Sequence, residues 1–325
     1  MRYTLRAMLK SLLALLVLGS ASFFSVAETP SSSSWPPSPE HATIALWPGG
    51  APGSSTAKGP EQDITTATDR QVAGRSVIRV GNVSVPTITL YPARGMTAPA
   101  AAGSAPGVVV FPGGSYRILA IDLEGTEVCD WLNSVGVTCV LVKYRVPETG
   151  PFPKSAAALQ DAQRAVSIVR QHAAEWHIDP KRVGVLGFSA GGHLSAALST
   201  HYEQRLYPAV DGADQLSCRP DFALIIYPGY LALAEKNFEF NPDIPVTAST
   251  PQAFLVQAED DGVHVENAVE YFLALKKAGV PAELHTYAQG GHGYGLRPTD
   301  KPVTGWPKLA TRWLHTIGVL QSASE

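Results

Sequence analysis

The sequence predicts an α/β fold with a mostly parallel central sheet and helices on both of its faces. Two observations support this prediction: short apolar runs follow one another from Gly107 onward, and helical patterns separate them. Continuous Val, Ile and Leu runs are typical of strands that helices cover on both faces, and alternation with helices favours parallel pairing. The predicted strands cover residues 107–111, 137–144, 182–188, 222–228, 253–259 and 282–287.

Two of the connecting segments carry helical spacing, and a further helix is predicted after the last strand. Apolar residues recur every three or four positions over residues 159–176 and 265–275, and residues 306–317 predict a last helix. Residues 202–220 and 229–250 fit neither the helical nor the strand period. We expect both to pass over the carboxyl ends of the strands, which is the edge where open α/β sheets bind ligands.

We expect one folded domain over residues 41–325, without internal repeats. Near its start, Ser76–Val80 and Val85–Tyr91 flank the turn pair Gly81-Asn82 and predict an antiparallel hairpin. The chain has 325 residues, of which 45% are hydrophobic and 16% charged, and its formal net charge is −3. Since no Lys/Arg-rich run is present that could follow phosphates, we expect no nucleic-acid partner.

The first forty residues predict export. Basic residues precede an apolar run over residues 12–18, and residues 25–27 offer the small side chains that a signal peptidase reads. We therefore expect a signal peptide over residues 1–27, a periplasmic or extracellular protein, and no stable membrane anchor after cleavage. A retained N-terminal anchor is the alternative. Residues 28–40 are rich in Ser and Pro and predict a disordered tether.

The three cysteines, Cys129, Cys139 and Cys218, are too few for a disulfide framework. Export would permit a bridge, and Cys129 and Cys139 are the nearest pair in sequence. We favour the interpretation that all three are small buried hydrophobic side chains, and the disulfide stays open as the alternative.

The strongest chemical motif is Gly-Phe-Ser-Ala-Gly at residues 187–191, between an apolar strand and a helix of small residues. A sharp strand-to-helix turn strains the backbone of Ser189 and lifts its Oγ above the sheet edge, so the residues two positions away must be small. The helix N-terminus offers free N–H groups to a developing oxyanion. A nucleotide-binding turn is the alternative, but neither Gly-x-Gly-x-x-Gly spacing nor a P-loop lysine accompanies the motif.

A serine nucleophile needs a base within hydrogen-bond reach. His292 is the best candidate, because it lies in a glycine-rich loop after the last predicted strand, whereas His193, inside the helix after Ser189, is better explained by packing or capping. The acid should follow the strand at 253–259, where Asp261 is our choice and Asp260 the alternative. Ser189, Asp261 and His292 stand in the order nucleophile, acid, histidine, which is the chain order of the α/β-hydrolase fold.

An oxyanion hole for this nucleophile needs two N–H donors. We expect one from Ala190 and the other from Gly114, with Ser115 as the further candidate, in the loop after the strand at 107–111; a plain tight turn is the alternative. Tyr116 and Tyr230 could line the substrate pocket, and core packing explains them equally well. The chemistry needs no metal or organic cofactor, and no metal-ligand spacing of histidines is visible.

The motifs together resemble those of a known family. The matching stretches are residues 46–53, 111–116, 124–125, 143–145, 161–165, 187–194, 257–268 and 290–297. They are similar to bacterial α/β-hydrolases of the acetylxylan-esterase and feruloyl-esterase-like group, the xylanase-associated esterases, and the resemblance extends from about Trp47 to Trp313. It implies Ser189, Asp261 and His292 as the triad and acetylated plant polysaccharide as the substrate class. Pro112 departs from the pattern, since related esterases often carry His there.

These observations predict a secreted serine esterase that acts through an acyl-enzyme on a small-molecule or polysaccharide ester, with acetyl esters of carbohydrate favoured. A general carboxylesterase, a lipase or a serine peptidase of the same fold uses the same triad and remains an alternative. A non-catalytic carbohydrate-binding relative is the alternative from a different class.

Overall fold

The computed structural model describes residues 35–53, 55–93 and 105–320. The predicted signal peptide, residues 1–27, and residues 28–34 of the predicted tether lie outside the described residues. Trp35, near the end of the predicted tether, is partly buried and packs against the hydrophobic core. The described part of that tether is therefore attached to the domain at Trp35, because an indole side chain gains more from apolar contacts than from water.

Most strands of the described chain join a single large sheet. In chain order the strands are β1 Thr43–Ala45, β2 Gln62–Asp63, β3 Arg79–Gly81, β4 Thr87–Tyr91, β5 Ala105–Phe111, β6 Ile118–Ala120, β7 Thr138–Lys143, β8 Ile178–Phe188, β9 Phe222–Ile226, β10 Ala232–Leu233, β11 Glu239–Phe240, β12 Gln252–Ala258 and β13 Ala282–Tyr287. Within the described residues the large sheet has eight strands in the order β1-β4-β7-β5-β8-β9-β12-β13.

The predicted fold class is confirmed. The six predicted strands correspond to β5, β7, β8, β9, β12 and β13, and these pair in parallel. On the β7 side, β4 runs antiparallel to β7 and β1 antiparallel to β4. Every residue of β5 and of β9 is buried, which explains why these strands have continuous apolar sequences instead of an alternating pattern.

Five α-helices occur in the described residues. They are α1 Glu127–Ser134, α2 Ala156–Gln171, α3 Ala190–His201, α4 Glu266–Lys277 and α5 Trp306–Thr316. Helix α2 buries its apolar stripe against the sheet, as its spacing predicts. Helix α4 ends before Gly279, whose φ of +75° is the left-handed conformation that commonly terminates helices.

The predicted opening hairpin is wrong. Strand β3 does not pair with β4; it pairs with β2 and β6 in a separate three-stranded sheet, whereas β4 joins the large sheet. The turn signal at Gly81-Asn82 is real, because Asn82 has a φ of +55°. The partners of β3 are distant in sequence, however, and a local turn signal contains no information about them.

The expected position of residues 202–220 is also wrong. This segment connects the end of α3 to the start of β9, so it lies at the amino ends of the parallel strands. The N–H of Asp221 donates to the carbonyl of Val183, near the point where β8 enters the sheet. Residues 229–250 do leave the carboxyl end of β9, and they contain the β10–β11 hairpin.

Cys129 and Cys139 form a disulfide between α1 and β7, so the interpretation of these two as free buried side chains is wrong. Cys218 is free and buried, as expected. Among the helices that the structure describes, none combines the length and apolar character needed to cross a bilayer.

Candidate active site

Ser189 occupies the turn between β8 and α3 with a φ of +52° and a ψ of −116°. An L-residue holds such a conformation only when its surroundings enforce it, at a cost of about 1–3 kcal/mol. The packing beside it explains one flanking glycine: a Cβ on Gly191 would lie 2.0 Å from the carbonyl oxygen of Phe111. The close approach of α3 to β5 therefore requires glycine there and leaves Ser189 at the carboxyl end of β8.

His292 links the serine to an aspartate. Its Nε2 lies 2.8 Å from Ser189 Oγ, and its Nδ1 lies 2.9 Å from Asp261 Oδ2. Asp261 follows β12, and its buried carboxylate also accepts hydrogen bonds from Gln257 Nε2 and from the N–H of Val263. These contacts hold the carboxylate in one orientation, which in turn orients the imidazole toward Ser189.

Asp260, the alternative acid, has a different set of contacts. Its Oδ1 accepts hydrogen bonds from the N–H groups of Gly290 and Gly291, at 2.8 and 2.7 Å. The structure thus places Asp261, not Asp260, against the imidazole of His292. Asp260 instead orders the glycine-rich loop that carries this histidine.

The candidate oxyanion donors lie beside the serine. Ala190 is the first residue of α3, so its N–H has no carbonyl partner within the helix. Gly114 and Ser115 line the same cavity as Ser189 and His292, and among the described residues neither donates its N–H to a backbone carbonyl. Gly114 has a φ of +134°, and a Cβ there would lie 2.1 Å from the carbonyl oxygen of Ile118, so only glycine fits.

Of the two tyrosines expected near the pocket, only Tyr230 lines a cavity. Tyr116 is fully buried, and its hydroxyl lies 2.7 Å from Nδ1 of His193, so a pocket position for Tyr116 is wrong. Its ring stacks behind Tyr230 at 6.2 Å. His193 is completely buried, and burial lowers its pKa to about 3, which matches the packing role expected for it.

A buried network that the sequence did not reveal connects three parts of the site. Glu124 accepts a hydrogen bond from the N–H of Gly113, at 2.7 Å, and another from the hydroxyl of Tyr227, at 2.8 Å. Tyr227 follows β9, and its hydroxyl accepts from the N–H of Gly295 in the histidine loop. Burial raises the pKa of Glu124, and the Tyr227 hydroxyl and His292 partly oppose that shift.

The signals for this network were weak. Glu124 lies in a π-helical turn, residues 122–126, that has no strand or helix period, and its one signal was that residues 124–125 belong to the stretches that resemble the family. Tyr227 directly follows a predicted strand at the edge where Ser189 lies, and this position was a usable indication that it borders the site.

Two adjoining cavities open at the site. The first has a volume of about 190 Å³, and Ser189 and His292 line it. The second, of about 810 Å³, shares Gly114 and Ser115 with the first and is bordered by Tyr230. The cleft thus continues past the oxyanion loop and leaves room for a substrate larger than a simple acetate ester.

The comparisons with known proteins agree with this geometry. The family model described as the alpha/beta hydrolase fold matches residues 108–248. An acetylxylan esterase of Xylanibacter ruminicola is 32% identical over 202 residues, which are 58% of this chain and 41% of that protein. Endo-1,4-beta-xylanase B of Butyrivibrio fibrisolvens is 28% identical over 217 residues, 61% of this chain and 34% of that protein. The chain thus spans less than half the length of these two curated relatives.

A solved structure is similar over most of its own length. The acetyl ester-xyloside bifunctional hydrolase from Caldicellulosiruptor lactoaceticus is 36% identical, with a TM-score of 0.63, and the match covers 74% of this chain and 90% of that chain. The relatives are the kind of protein that the sequence motifs resemble. The chain therefore belongs to the α/β-hydrolase family and is similar, within it, to the xylanase-associated esterases.

Proposed function

We propose that this chain is an exported serine esterase that hydrolyses acetyl esters of carbohydrate. The observation that carries the proposal is the continuous series of hydrogen bonds from Ser189 Oγ through His292 to Asp261. A serine hydroxyl is a weak nucleophile at its ordinary pKa, and a base at 2.8 Å can remove its proton as it attacks.

In the first half-reaction, His292 Nε2 accepts the Ser189 proton while Oγ attacks the ester carbonyl carbon. The negative charge that develops on the carbonyl oxygen is stabilised by the N–H groups of Ala190 and Gly114, with Ser115 beside them. Asp261 stabilises the imidazolium and fixes its orientation. The imidazolium then gives its proton to the leaving alcohol, and the acyl group remains on Ser189.

In the second half-reaction, water takes the place of the alcohol. His292 accepts a proton from the water, whose oxygen attacks the acyl-enzyme, and the same N–H groups stabilise the oxyanion. The proton returns to Ser189 Oγ as the carboxylic acid leaves. The cycle needs no metal and no organic cofactor.

The substrate class rests on the relatives and on the shape of the cleft. Two similar proteins are named an acetylxylan esterase and an acetyl ester-xyloside bifunctional hydrolase. The cavity of about 810 Å³ adjoins the one that Ser189 and His292 line, so it has room for sugar units beyond the one that carries the reacting ester. An aromatic ring at its border, that of Tyr230, suits the apolar face of a pyranose.

Export is supported by the basic and apolar pattern of the first 27 residues. The Cys129–Cys139 disulfide agrees with it, because structural disulfides persist mainly in oxidising compartments. Edman sequencing of the protein recovered outside the cytoplasm should begin near Glu28. Recovery of the full-length chain from the membrane fraction would instead favour a retained anchor.

The decisive assay measures acetate release from acetylated xylan by the purified chain, with Ser189→Ala as the control. Release that disappears in the variant is the expected result. Cleavage of a simple aryl acetate without release from xylan would keep the triad and discard the carbohydrate substrate. Absence of Ser189-dependent cleavage in both assays would contradict the esterase proposal and favour a peptidase or a non-catalytic binding protein.

A further inference from the structure

One wall of the catalytic cavity comes from the segment that precedes β4. Arg70, Val72, Val77 and Arg79 line the same cavity of about 190 Å³ as Ser189 and His292. The valines supply an apolar surface, and the two arginines add positive charge to the lining of the cavity that contains the nucleophile. A neutral acetyl group forms no ion pair with such charges, so they point to a charged group elsewhere on the substrate.

Arg297, from the histidine loop, holds this wall in place. Its guanidinium group donates to the carbonyl oxygens of Arg75 and Ser76, at 3.0 and 2.8 Å, and pairs with the carboxylates of Asp122 and Glu127. Since Arg297 is itself buried, the position of the wall relative to the histidine loop is set by a saturated set of hydrogen bonds.

Arg70 keeps most of its donors available. Its Nη1 donates to the carbonyl oxygen of His292, at 2.9 Å, which directs the side chain toward the histidine. Among the described residues, Arg70 has no carboxylate partner, and its remaining guanidinium N–H groups donate to no other group there. A planar guanidinium with free donors is the side chain best suited to a two-point contact with a carboxylate.

Arg79 is more firmly held. Its Nη1 and Nη2 donate to the carbonyl oxygens of Val77 and Arg70, at 2.8 and 3.1 Å. Asp69 lies 3.7 Å from Nη1, and its carboxylate already accepts from the N–H of Thr66. This loose pairing offsets only part of the charge of the two arginines.

Glu124 is an acid that lines the cavity, and its carboxylate is already engaged. It is buried, and its two oxygens accept hydrogen bonds from the N–H of Gly113 and the hydroxyl of Tyr227, so it forms no ion pair with Arg70 or Arg79. The charged residues among the described lining of the cavity are Arg70, Arg79 and Glu124, so the two guanidinium groups leave an excess of one positive charge. Arg70 is exposed and can therefore meet an anion that enters from solvent, through a charge-assisted hydrogen bond.

The position of Arg70 indicates which half of the ester meets this charge. In acyl transfer the histidine protonates the leaving alcohol, so the alcohol must lie next to His292 Nε2. Arg70 contacts the backbone of that same histidine, and Gly293 lines the cavity beside it. The charged wall is therefore on the alcohol side of the reacting bond.

We propose that Arg70 and Arg79 form an anion-binding subsite that selects esters whose alcohol half carries a carboxylate, such as an acetylated glycan with uronic-acid groups. The proposal rests on the proposed esterase function and specifies its substrate. The scissile bond is still the acetyl ester; the carboxylate on the alcohol is bound, not transformed.

The test compares acetate esters of 3-hydroxybenzoate and of 3-hydroxybenzamide, which differ in charge but little in shape. At low ionic strength we expect kcat/KM to favour the carboxylate by about tenfold, the size of one charge-assisted contact. The ratio should approach one in Arg70→Gln, fall below one in Arg70→Glu, and shrink with added salt in the wild type.

Two controls distinguish binding at this subsite from a general attraction between the basic segment and any anion. Arg75, on the same segment, pairs with Glu127 and does not line the cavity, so Arg75→Gln should keep the wild-type ratio. A 4-nitrophenyl hemisuccinate carries its carboxylate on the acyl half and should gain no advantage over 4-nitrophenyl acetate. Equal rates for the benzoate and benzamide esters, equal effects of the Arg70 and Arg75 variants, or a preference for the hemisuccinate would overturn the proposal.

A binding measurement keeps this result apart from the esterase proposal. Calorimetry on Ser189→Ala should give tighter binding of 3-hydroxybenzoate than of 3-hydroxybenzamide. This difference in affinity should be lost in the double variant that also carries Arg70→Gln. Ser189-dependent hydrolysis of 4-nitrophenyl acetate without this difference would reject the subsite and keep the esterase. Selective binding without any hydrolysis would reject the esterase and keep an anion site.

Discussion

Helix α3 connects two regions that each bury an aspartate among hydrogen-bond donors, and the two aspartates do different things. At the N-terminal end of α3, next to Ser189, Asp261 contacts His292. After its last turn, Asp214 accepts hydrogen bonds from Arg164, Arg205, the hydroxyl of Tyr207 and the N–H of Val210. Arg164 also pairs with Asp211, and we refer to Arg164, Arg205, Asp211 and Asp214 as the Arg164 cluster.

The difference lies in the partners. Burial alone would raise the pKa of Asp214, but the N–H of Val210, Tyr207 and Arg164 outweigh it and hold the pKa below its usual value. The partners of that carboxylate are two arginines, which stay charged, and a tyrosine hydroxyl and a backbone N–H, which stay protonated. Asp261 instead pairs with the imidazole of His292, a group whose chemistry allows it to accept and return a proton. This imidazole is partly exposed and lines the cavity at Ser189. A buried carboxylate with fixed donors is structural; one with a titratable partner and a nucleophile can do chemistry.

The largest expected effect is on the catalytic side. Asp261→Asn should lower kcat by about 10⁴, because the amide cannot stabilise the imidazolium and favours the wrong tautomer of His292. Its thermal unfolding should change little. Asp260→Asn is the matched control, since it keeps an acceptor for Gly290 and Gly291, and steady-state kinetics should find it within about tenfold of the wild type.

The reverse pattern is expected in the Arg164 cluster. Asp214→Ala should lower the free energy of unfolding by about 3–5 kcal/mol, because it leaves the buried charge of Arg164 poorly paired. Denaturant titration measures this loss, and active-site titration normalises kcat to folded protein. A fall in kcat of the folded fraction as large as that of Asp261→Asn would show that the two regions are not separate in function.

The buried histidine near Ser189, His193, extends the comparison to the pH dependence of stability. The pKa of buried His193 is about 3, below its ordinary value of 6.5, because burial disfavours the charged form. Between these values the folded protein binds fewer protons than the unfolded chain, so the stabilising contribution is present above pH 6.5 and is lost as the pH falls toward 3. His193→Gln does not titrate and can still accept from Tyr116.

Its unfolding free energy should therefore approach that of the wild type, or exceed it, as the pH falls through this range, with a relative change on the order of a few kcal/mol. Chemical denaturation at a series of pH values tests this expectation. A difference between the two proteins that is constant with pH would mean that His193 is not the buried neutral group described above.

A smaller effect is expected at Glu124. Both of its oxygens accept hydrogen bonds, from Gly113 N–H and from the Tyr227 hydroxyl, and a glutamine can accept only one. Glu124→Gln should lower kcat about 10-fold to 100-fold with a small change in KM, because the oxyanion loop shifts. A change confined to KM or to thermal stability would assign Glu124 a purely structural role.

Much of the fold could be predicted because its signals are local. The apolar runs of β5 and β9 and the stripe of α2 follow directly from burial on both faces of the sheet and from helical periodicity. The hairpin prediction failed where the partners of β3 are distant in sequence, and the position of residues 202–220 failed because period alone does not tell one sheet edge from the other.

The candidate site likewise combines residues that local signals predict with residues that only distant contacts position. Ser189, Asp261 and His292 follow three strands of one sheet, so their meeting could be anticipated from the edge that parallel strands share. Arg70 and Glu124 lie in segments without strand or helix period, and their places depend on distant contacts such as those of Arg297. For Tyr116 the sequence left a pocket position and core packing open, and in the structure the side chain is packed in the core.

The most direct test of the central claim is the reaction of the protein with a fluorophosphonate, followed by peptide mass spectrometry. We predict one label per chain, on the peptide that contains Ser189, with no label in Ser189→Ala and a much slower reaction in Asp261→Asn. Asp214→Ala, where it is folded, should label at the wild-type rate. Failure of the wild-type protein to label, or equal labelling of Ser189→Ala, would contradict the assignment of Ser189, His292 and Asp261 as a catalytic triad.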